Sequence, residues 1–355
     1  MSPVRASAPT SQAALAAYAV GLCLACHGKD PAIGATRLGW SVDTVAVIGV
    51  SDGDSTQEFG QLIAAEISAI GDVVLLDLRR PGIFWFDQAG RFKSATRPGR
   101  GPGEVAQPRA ITVDSRGGVV VLDPGNARIA YFRVSDGRVV LDSSIHTPYV
   151  TGSLCLLGER LYAGFLRDGM VAHALGSDGH PLLSFGPAPE VTGLEALGQF
   201  ATQAQRQIIE PRLFCDSFQD RVVLAGRSHA LVRAYDTTGH LSWSVQLGDI
   251  HSVGFEVRHP GTVEGVFDDV HGASFVRSLI PWDPQHVLIQ YVKRLPGQPP
   301  DGREFHGIDS RLLDLATGAE VARSDGLPLL AAVRGDRFVA IENVPYPRAV
   351  VGRRR

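Results

Sequence analysis

The sequence predicts an all-β fold, a six-bladed β-propeller, and three observations support this prediction. First, Asp77 returns as Asp123 and Phe86 returns as Phe132, each pair 46 residues apart and each within a similar segment. Second, 40 glycines and 22 prolines among 355 residues suit many short strands joined by tight turns. Third, apolar runs rich in β-branched residues recur between turn signals. Because a period near 46 residues is typical of a four-stranded propeller blade, we expect one closed repeat array.

The N-terminal part of the chain indicates export. Arg5 is followed by an apolar stretch, Ala13–Ala25, which is too short to span a bilayer comfortably and is typical of the core of a secretory signal. Leu24-Ala25-Cys26 resembles a bacterial lipoprotein signal, in which the cysteine becomes lipidated; plain secretion is the alternative. We therefore predict a periplasmic protein or a lipoprotein of the outer membrane, with Cys26 as the lipidated residue.

The domain boundaries follow from this interpretation. We predict a signal over residues 1–25, a polar tether over 26–43 and a single propeller domain over 44–355. Any link to a membrane would be the lipid anchor.

Cys23-Leu24-Ala25-Cys26-His27 also matches the attachment motif of a c-type haem. The match starts inside the apolar signal core, and the only methionine beyond the initiator is Met170. The lipoprotein signal explains the same residues better, so no haem is expected, and electron transfer is kept only as a third hypothesis.

Apolar runs divide the remaining chain into six predicted blades. They are, in order, roughly 61–97, roughly 107–147, a third from Leu154, a fourth containing Arg221–Ala225, a fifth containing Val287–Tyr291, and a partial sixth from Leu329 to Val351. The Thr44–Val50 run has no partner before it, so we expect it to complete the last blade and remove an open sheet edge. Seven blades are the alternative count.

Two stretches interrupt the blade pattern. Apolar residues recur at roughly helical spacing between Thr192 and Ile209, Thr192 and Glu195 fit a capping box, and Pro211 would end the run. We predict a short helix there. Gly248–Ser274 is predicted to be a long polar loop, and long insertions are often functional.

Two cysteines, Cys155 and Cys215, lie beyond the signal in separate predicted blades. In an exported protein an even pair of cysteines would form a disulfide bond. Two buried thiols are the alternative, since free cysteines also pack well in strands.

The segment Arg97–Glu104, followed by Val121–Ile129 and Phe132, resembles the NHL-like six-bladed β-propeller proteins that bacteria export, many of them as lipoproteins. The resemblance covers residues 60–140 and is thin elsewhere. It implies strands radiating around a central channel and a binding role, and it implies no catalytic residues.

Composition and motifs limit the functional classes. A net charge of −3 gives no general attraction to phosphate backbones, so no nucleic-acid partner is expected. The sequence contains no His-Glu-x-x-His motif, which disfavours zinc proteases.

Two groups of residues are candidates for a site. Arg97 and Arg100 lie in a glycine-rich loop and would hold an anionic group by forked hydrogen bonds if the loop faces a binding funnel; a plain inter-blade connection is the alternative. The second group combines imidazoles and carboxylates that suit a metal or an acid–base site, and solvated loop residues are the alternative. This group comprises His251, His259, Asp268, Asp269 and His271.

The sequence therefore favours a non-catalytic propeller of the cell envelope that binds a peptide, a protein or a glycan across one face. The helix and the Gly248–Ser274 loop are expected to shape that face. The alternative is a metal-dependent propeller lyase or lactonase that draws its ligands from the histidine and aspartate group. No cofactor is expected under the first hypothesis and a metal ion under the second.

Overall fold

Six blade sheets, five of four strands and one of five, follow one another along the described part of the chain in the computed structural model. It describes residues 36–114, 116–149, 152–191, 193–259, 262–267, 270–294 and 307–355, with the backbone alone at 36–37, 257–259 and 262–264. The first strands are β1 (Thr36–Arg37) and β2 (Val42–Ile48). Blade I has β3 (Leu62–Ile67), β4 (Val73–Asp77), β5 (Gly82–Phe86) and β6 (Phe92–Ala95). Blade II has β7 (Ala110–Val113), β8 (Val119–Asp123), β9 (Arg128–Ser135) and β10 (Arg138–His146).

The middle of the chain adds two further blades and a helix. Blade III has β11 (Ser153–Leu157), β12 (Arg160–Arg167), β13 (Met170–Leu175) and β14 (Pro181–Pro187). A 3-10 turn (Leu194–Phe200) then leads into α1 (Ala201–Ile209). Blade IV has β15 (Pro211–Asp216), β16 (Arg221–Gly226), β17 (Leu231–Asp236) and β18 (Leu241–Gln246).

The last third of the chain contains a hairpin and two blades. The hairpin pairs β19 (Gly254–His259) with β20 (Thr262–Val266). Blade V has β21 (Ala273–Asp283), β22 (His286–Arg294), β23 (Gly307–Asp314) and β24 (Glu320–Ser324). Blade VI has β25 (Leu330–Arg334), β26 (Arg337–Glu342) and β27 (Arg348–Arg354). A further short 3-10 turn, Pro124–Asn126, joins β8 to β9.

The ring closes as the sequence predicts. The first strands of the six blades contact one another in order, and β25 of blade VI contacts β3 of blade I. The N-terminal strand β2 pairs antiparallel with β27 and forms the outer edge of blade VI. In addition, β1 pairs parallel with β24, so part of the predicted tether forms a fifth strand of blade V. The structure confirms six blades and their closure by the N-terminal strand, and the alternative of seven is wrong.

The core lies between neighbouring blades because each central strand is apolar on both faces. All five residues of β4, of β5 and of β8 are buried. One cluster joins Val74 and Trp85 of blade I to Val121 of blade II. Another joins Val351 of blade VI to Val73 of blade I and so holds the closure of the ring. Continuous apolar runs, rather than alternating ones, are the expected pattern of strands buried on both faces.

The repeated aspartates that mark the first two blades are structural. Asp77 is fully buried at the end of β4, and its carboxylate accepts hydrogen bonds from four backbone N–H groups. These belong to Gly60 and Gln61 before β3 and to Arg79 and Arg80 after β4, over 2.6 to 3.0 Å. Asp123 clamps the equivalent loop of blade II. The period of 46 residues therefore reflects a recurring carboxylate clamp.

Three features differ from the sequence-based prediction. The Gly248–Ser274 stretch is not one loop, since it contains the β19–β20 hairpin and the start of β21. The alternation of apolar and charged residues from Phe255 to Arg258 is the missed signal, because period 2 is typical of a strand. The apolar runs from which the blades are predicted also leave out β15 and β21, the first strands of blades IV and V.

The predicted helix is present as the 3-10 turn and α1, and β15 begins at Pro211 as the helix ends. Thr192, the proposed capping residue, lies outside the described residues. Gly193 occupies the N-cap position without a side-chain hydrogen bond. The motif with Cys23, Cys26 and His27 also lies outside the described residues. Within the part of the chain that the structure describes, no helix has the length and apolar character needed to cross a membrane.

Cys155 and Cys215 form a disulfide bond with their Cα atoms 5.5 Å apart. The bond joins β11 to β15, the first strands of blades III and IV. Of the two alternatives left open by the sequence, the structure therefore shows the disulfide.

Candidate functional site at the upper end of the channel

The first strands of the six blades surround a central space that widens into a cavity at each end. We call the end at which these strands begin the upper end. The upper cavity has a volume of about 360 Å³ and the lower cavity about 930 Å³. Both are lined by Glu66, Leu154 and Leu279, so they meet within the ring of first strands.

Four arginines line the upper cavity, and one carboxylate at its rim pairs with one of them. We define the arginine pocket as Arg109, Glu210, Arg212, Arg227 and Arg277. Its side chains come from the starts of blades II, IV and V and from the turn after β16. Residues distant in sequence are therefore brought together by the closure of the ring.

A β-bulge explains how Arg277 reaches the cavity. Its neighbours in β21, Val276 and Ser278, are buried, whereas Arg277 is exposed. The register of β21 against β22 shifts between Val276 and Ser278, so Arg277 is the extra residue of the bulge, and a bulge turns such a side chain out of the regular alternation. Protein surrounds the side chain, yet water in the channel can still reach it.

One guanidinium of the pocket, that of Arg212, has a donor without a partner among the described residues. Arg212 donates from Nη1 to the carbonyl oxygen of Gly152 at 3.0 Å. Its Nε is buried and has no hydrogen-bond partner among the described residues. Arg227 donates to Glu210 over 2.7 Å. A buried N–H without a partner is costly, so an anionic ligand that accepts a hydrogen bond from Arg212 would be stabilised.

The arginines affect one another electrostatically. Burial, with a smaller contribution from the positive charges of Arg212, Arg227 and Arg294, lowers the pKa of Arg277 to about 10. Burial also lowers the pKa of Arg212, against the attraction of Glu210. Both groups stay protonated at neutral pH. Like charges held together in a confined space attract an anion, because its binding relieves their repulsion.

Glu66 of β3 lies where the two cavities meet and is protonated at neutral pH. Burial raises its pKa to about 8, and Arg334 opposes this rise only in part. The neutral carboxyl therefore does not cancel the positive charge of the arginine pocket below pH 8.

This raised pKa makes stability depend on pH. The unfolded chain loses the Glu66 proton near its ordinary pKa of 4.5, whereas the folded chain keeps it to about pH 8. Stability contributed by the neutral carboxyl is therefore full below pH 4.5 and is lost as the pH rises toward 8. We expect Glu66→Gln to stabilise the protein at pH 9 by on the order of 2 kcal/mol and to change little at pH 4, as measured by urea unfolding. An equal change at both pH values would contradict a neutral Glu66.

The helix and the hairpin both lie beside the upper cavity. A side cavity of about 210 Å³ is lined by Gln207 of α1, by Phe255 and Phe267 of the hairpin region, and by Arg227 and Arg277 of the pocket. Apolar side chains of the same elements pack together, since Ile208 of α1 clusters with Val253 before β19. The two insertions predicted to shape one face of the propeller therefore do so at the same end.

The lower cavity is larger, but its lining carries both acidic and basic side chains. Glu66, Asp216, Asp283 and Asp336 lie there with Arg334, Arg354 and Arg355. Some of these charges already have partners within the protein: Arg355 forms an ion pair with Asp43, and the Arg354 guanidinium lies 4.2 Å from the centre of the Trp282 ring. Because the upper cavity has a consistent excess of one charge, we regard it as the candidate site.

The structure brings together part of the predicted histidine and aspartate group. The rings of His251 and His271 stack with their centroids 4.4 Å apart and their planes 10° apart. The side chain of His259 and all of Asp268 and Asp269 lie outside the described residues. Among the residues that are described, no three His, Cys, Asp or Glu side chains are grouped to hold a metal ion. A metal site in this region stays a prediction.

Arg97 and Arg100 lie in the loop between β6 and β7. Glu104 accepts a hydrogen bond from the backbone N–H of Gly101 in this loop. Gly99 has a φ of +148°, which L side chains rarely adopt, and a Cβ atom there would overlap Oε2 of Glu104. Neither arginine lines the upper cavity, its side cavity or the lower cavity. Anion binding by these two arginines stays a prediction.

Sequence reasoning missed the arginine pocket. Arg277 stands within an otherwise apolar and hydroxyl-bearing run from Ser274 to Ile280, and Arg212 follows a proline at a strand start. A charged residue inside an apolar strand is the available signal. The convergence of Arg109, Arg212 and Arg277 depends on three blades meeting, which spacing along the chain does not show.

Fold and site together define a six-bladed β-propeller with an arginine-lined opening at one end of its channel. The sequence matches no known family model and no curated protein. Solved structures similar to it include a member of the DUF4221 family from Bacteroides vulgatus ATCC 8482, with a TM-score of 0.57 and 9% identity over 89% of this chain and 98% of the other. A protein of Bacteroides fragilis NCTC 9343, named as a predicted exported protein, has a TM-score of 0.53 and 9% identity over 90% and 98%. At these identities the similarity establishes the fold.

Proposed function

We propose that this protein is an exported, non-catalytic binding protein of the cell envelope whose arginine pocket holds the anionic group of a peptide, protein or glycan ligand. The observation that carries the proposal is the convergence of Arg109, Arg212, Arg227 and Arg277 on one cavity. Glu210 pairs with Arg227 there, and Glu66 is neutral below pH 8.

Two features support export. The apolar stretch Ala13–Ala25 is typical of a secretory signal. The disulfide between Cys155 and Cys215 suits an oxidising compartment outside the cytoplasm. Lipidation at Cys26 belongs to the same proposal and rests on the sequence motif.

The test is a titration of the full chain with citrate, a small carboxylate probe, by isothermal calorimetry at pH 7. We expect citrate to bind and Arg277→Gln to weaken binding by about 10- to 100-fold, since a hydrogen bond between charged groups contributes about 1.5–3 kcal/mol. Arg212→Gln is expected to act in the same direction.

The matched control is Arg133→Gln. Arg133 is an exposed arginine of β9 whose ion pair with Asp142 lies on the outer strands of blade II. This change should leave citrate affinity as it is. Absence of citrate binding, or an equal loss in Arg133→Gln and Arg277→Gln, would refute the proposal.

A further inference from the structure

A groove with one polar wall leads away from the arginine pocket along α1. It has a volume of about 980 Å³ and shares Arg109, Gly152 and Glu210 with the upper cavity. One wall is formed by α1 and the turn before it, and the other by Pro148, Tyr149 and Gly152 between blades II and III together with β12. A ligand whose anionic end occupies the pocket would therefore extend into this groove.

The helix wall presents groups that match a peptide backbone. Its apolar side is buried through Ala204, Ile208 and Ile209. The groove side carries exposed amide, hydroxyl and guanidinium groups, from Gln199, Thr202, Gln203, Arg206 and Gln207. Amide side chains both donate and accept hydrogen bonds, as a backbone N–H and C=O pair requires.

The aromatic residues of the opposite wall use their ring faces within the protein. Phe165 stacks on Tyr149 with ring centroids 4.6 Å apart and on His173 with centroids 4.0 Å apart. The Arg167 guanidinium lies 5.2 Å from the Tyr149 centroid. Sugars commonly need a free aromatic face to stack on, and these rings do not offer one. The groove therefore suits a peptide better than a glycan.

Length and charge define the peptide further. From Gln199 to Gln207 the helix wall covers about 12 Å at a rise of about 1.5 Å per residue. An extended peptide advances about 3.3 Å per residue, so about four residues fit along it. Arg206 adds positive charge beside the four arginines of the pocket. This balance favours acidic side chains in the ligand.

We infer that the ligand is an acidic peptide segment bound in extended form, with about four residues along α1 and a terminal carboxylate in the arginine pocket. This inference rests on the proposed function and specifies the ligand of the same site. Gln203 is the residue we expect to contact the peptide in the groove, and Arg277 the residue that holds its carboxylate.

The experiment compares four probes on the full chain by calorimetry at pH 7. They are citrate, the peptide acetyl-Ala-Glu-Glu-Ala-Glu with a free C-terminus, the same peptide with an amidated C-terminus, and tetragalacturonate. We expect the free peptide to bind at least tenfold more tightly than the amidated peptide and more tightly than tetragalacturonate. Gln203→Glu places a negative charge in the groove. It should weaken binding of the free peptide at least fivefold and leave the affinity for citrate unchanged.

Gln285→Glu is the matched control, because Gln285 is exposed in the turn between β21 and β22, at the lower end. This change should alter neither the affinity for citrate nor the affinity for the free peptide. Citrate binding that depends on Arg277, combined with equal affinity for the two peptides or with no effect of Gln203→Glu on the free peptide, would overturn the peptide inference alone. Tighter binding of tetragalacturonate would also overturn it. Loss of citrate binding itself would instead refute the proposed function.

Discussion

Replacement of both Cys155 and Cys215 by alanine is expected to lower the free energy of unfolding by about 4 kcal/mol. The disulfide closes a loop with a sequence separation of 60 residues, and its loss returns that conformational freedom to the unfolded chain. It also removes a covalent link between the first strands of blades III and IV, which line the channel. Urea unfolding of the full chain at neutral pH measures the change.

The control is the same double variant with a reducing agent added, which should have no further effect. The parent protein under reducing conditions should approach the variant. If the oxidised parent protein and the double variant unfold at the same urea concentration, the disulfide bond does not stabilise the fold. Thiol labelling in the native host tests export as well, since a cytoplasmic location would leave both cysteines reactive.

Asp77→Ala is expected to cost about 3–5 kcal/mol. The change leaves four backbone N–H groups, from Gly60, Gln61, Arg79 and Arg80, without their acceptor in a buried place. The loop that enters blade I would lose its attachment to the turn after β4. Thermal unfolding followed by circular dichroism, together with urea titration, measures the loss.

Asp87→Ala is the matched control for this clamp. Asp87 also accepts backbone hydrogen bonds, from Ala89 and Arg91, but it does so in an exposed turn. Water can replace its carboxylate, so the cost should stay below about 1 kcal/mol. Similar losses in the two variants would show that the buried clamp is not the reason for the repeated aspartate.

Asp77 and Asp123 show why the fold is readable from the sequence. Blades I and II bury their central strands and share the same carboxylate clamp, so physical requirements recur with the period of the blade. The Thr44–Val50 strand was assigned to the last blade for a similar reason, because an open ring leaves an unpaired edge. These requirements act within one blade or between adjacent blades, and they leave a local pattern.

Blades IV and V show where such reading fails. β15 begins at a proline directly after α1, and β21 follows the β19–β20 hairpin, where the sequence predicts a loop. In both places an insertion at the upper end precedes the blade. The first strand therefore lacks the turn residues before it that would mark its start in the sequence. The two strands carry Arg212 and Arg277, and missing them also hid the site.

The sequence by itself determined the repeat, the number of blades, the closing strand and the helix, because each depends on apolar pattern and turn residues along a short stretch of chain. Tertiary structure alone decided that Cys155 meets Cys215 and that Arg109, Arg212, Arg227 and Arg277 share one cavity. The physical reason is that a closed ring brings the starts of all its first strands to one end of the channel. Burial in the channel lowers the pKa of Arg277 and raises that of Glu66, and no local pattern in the sequence encodes either shift.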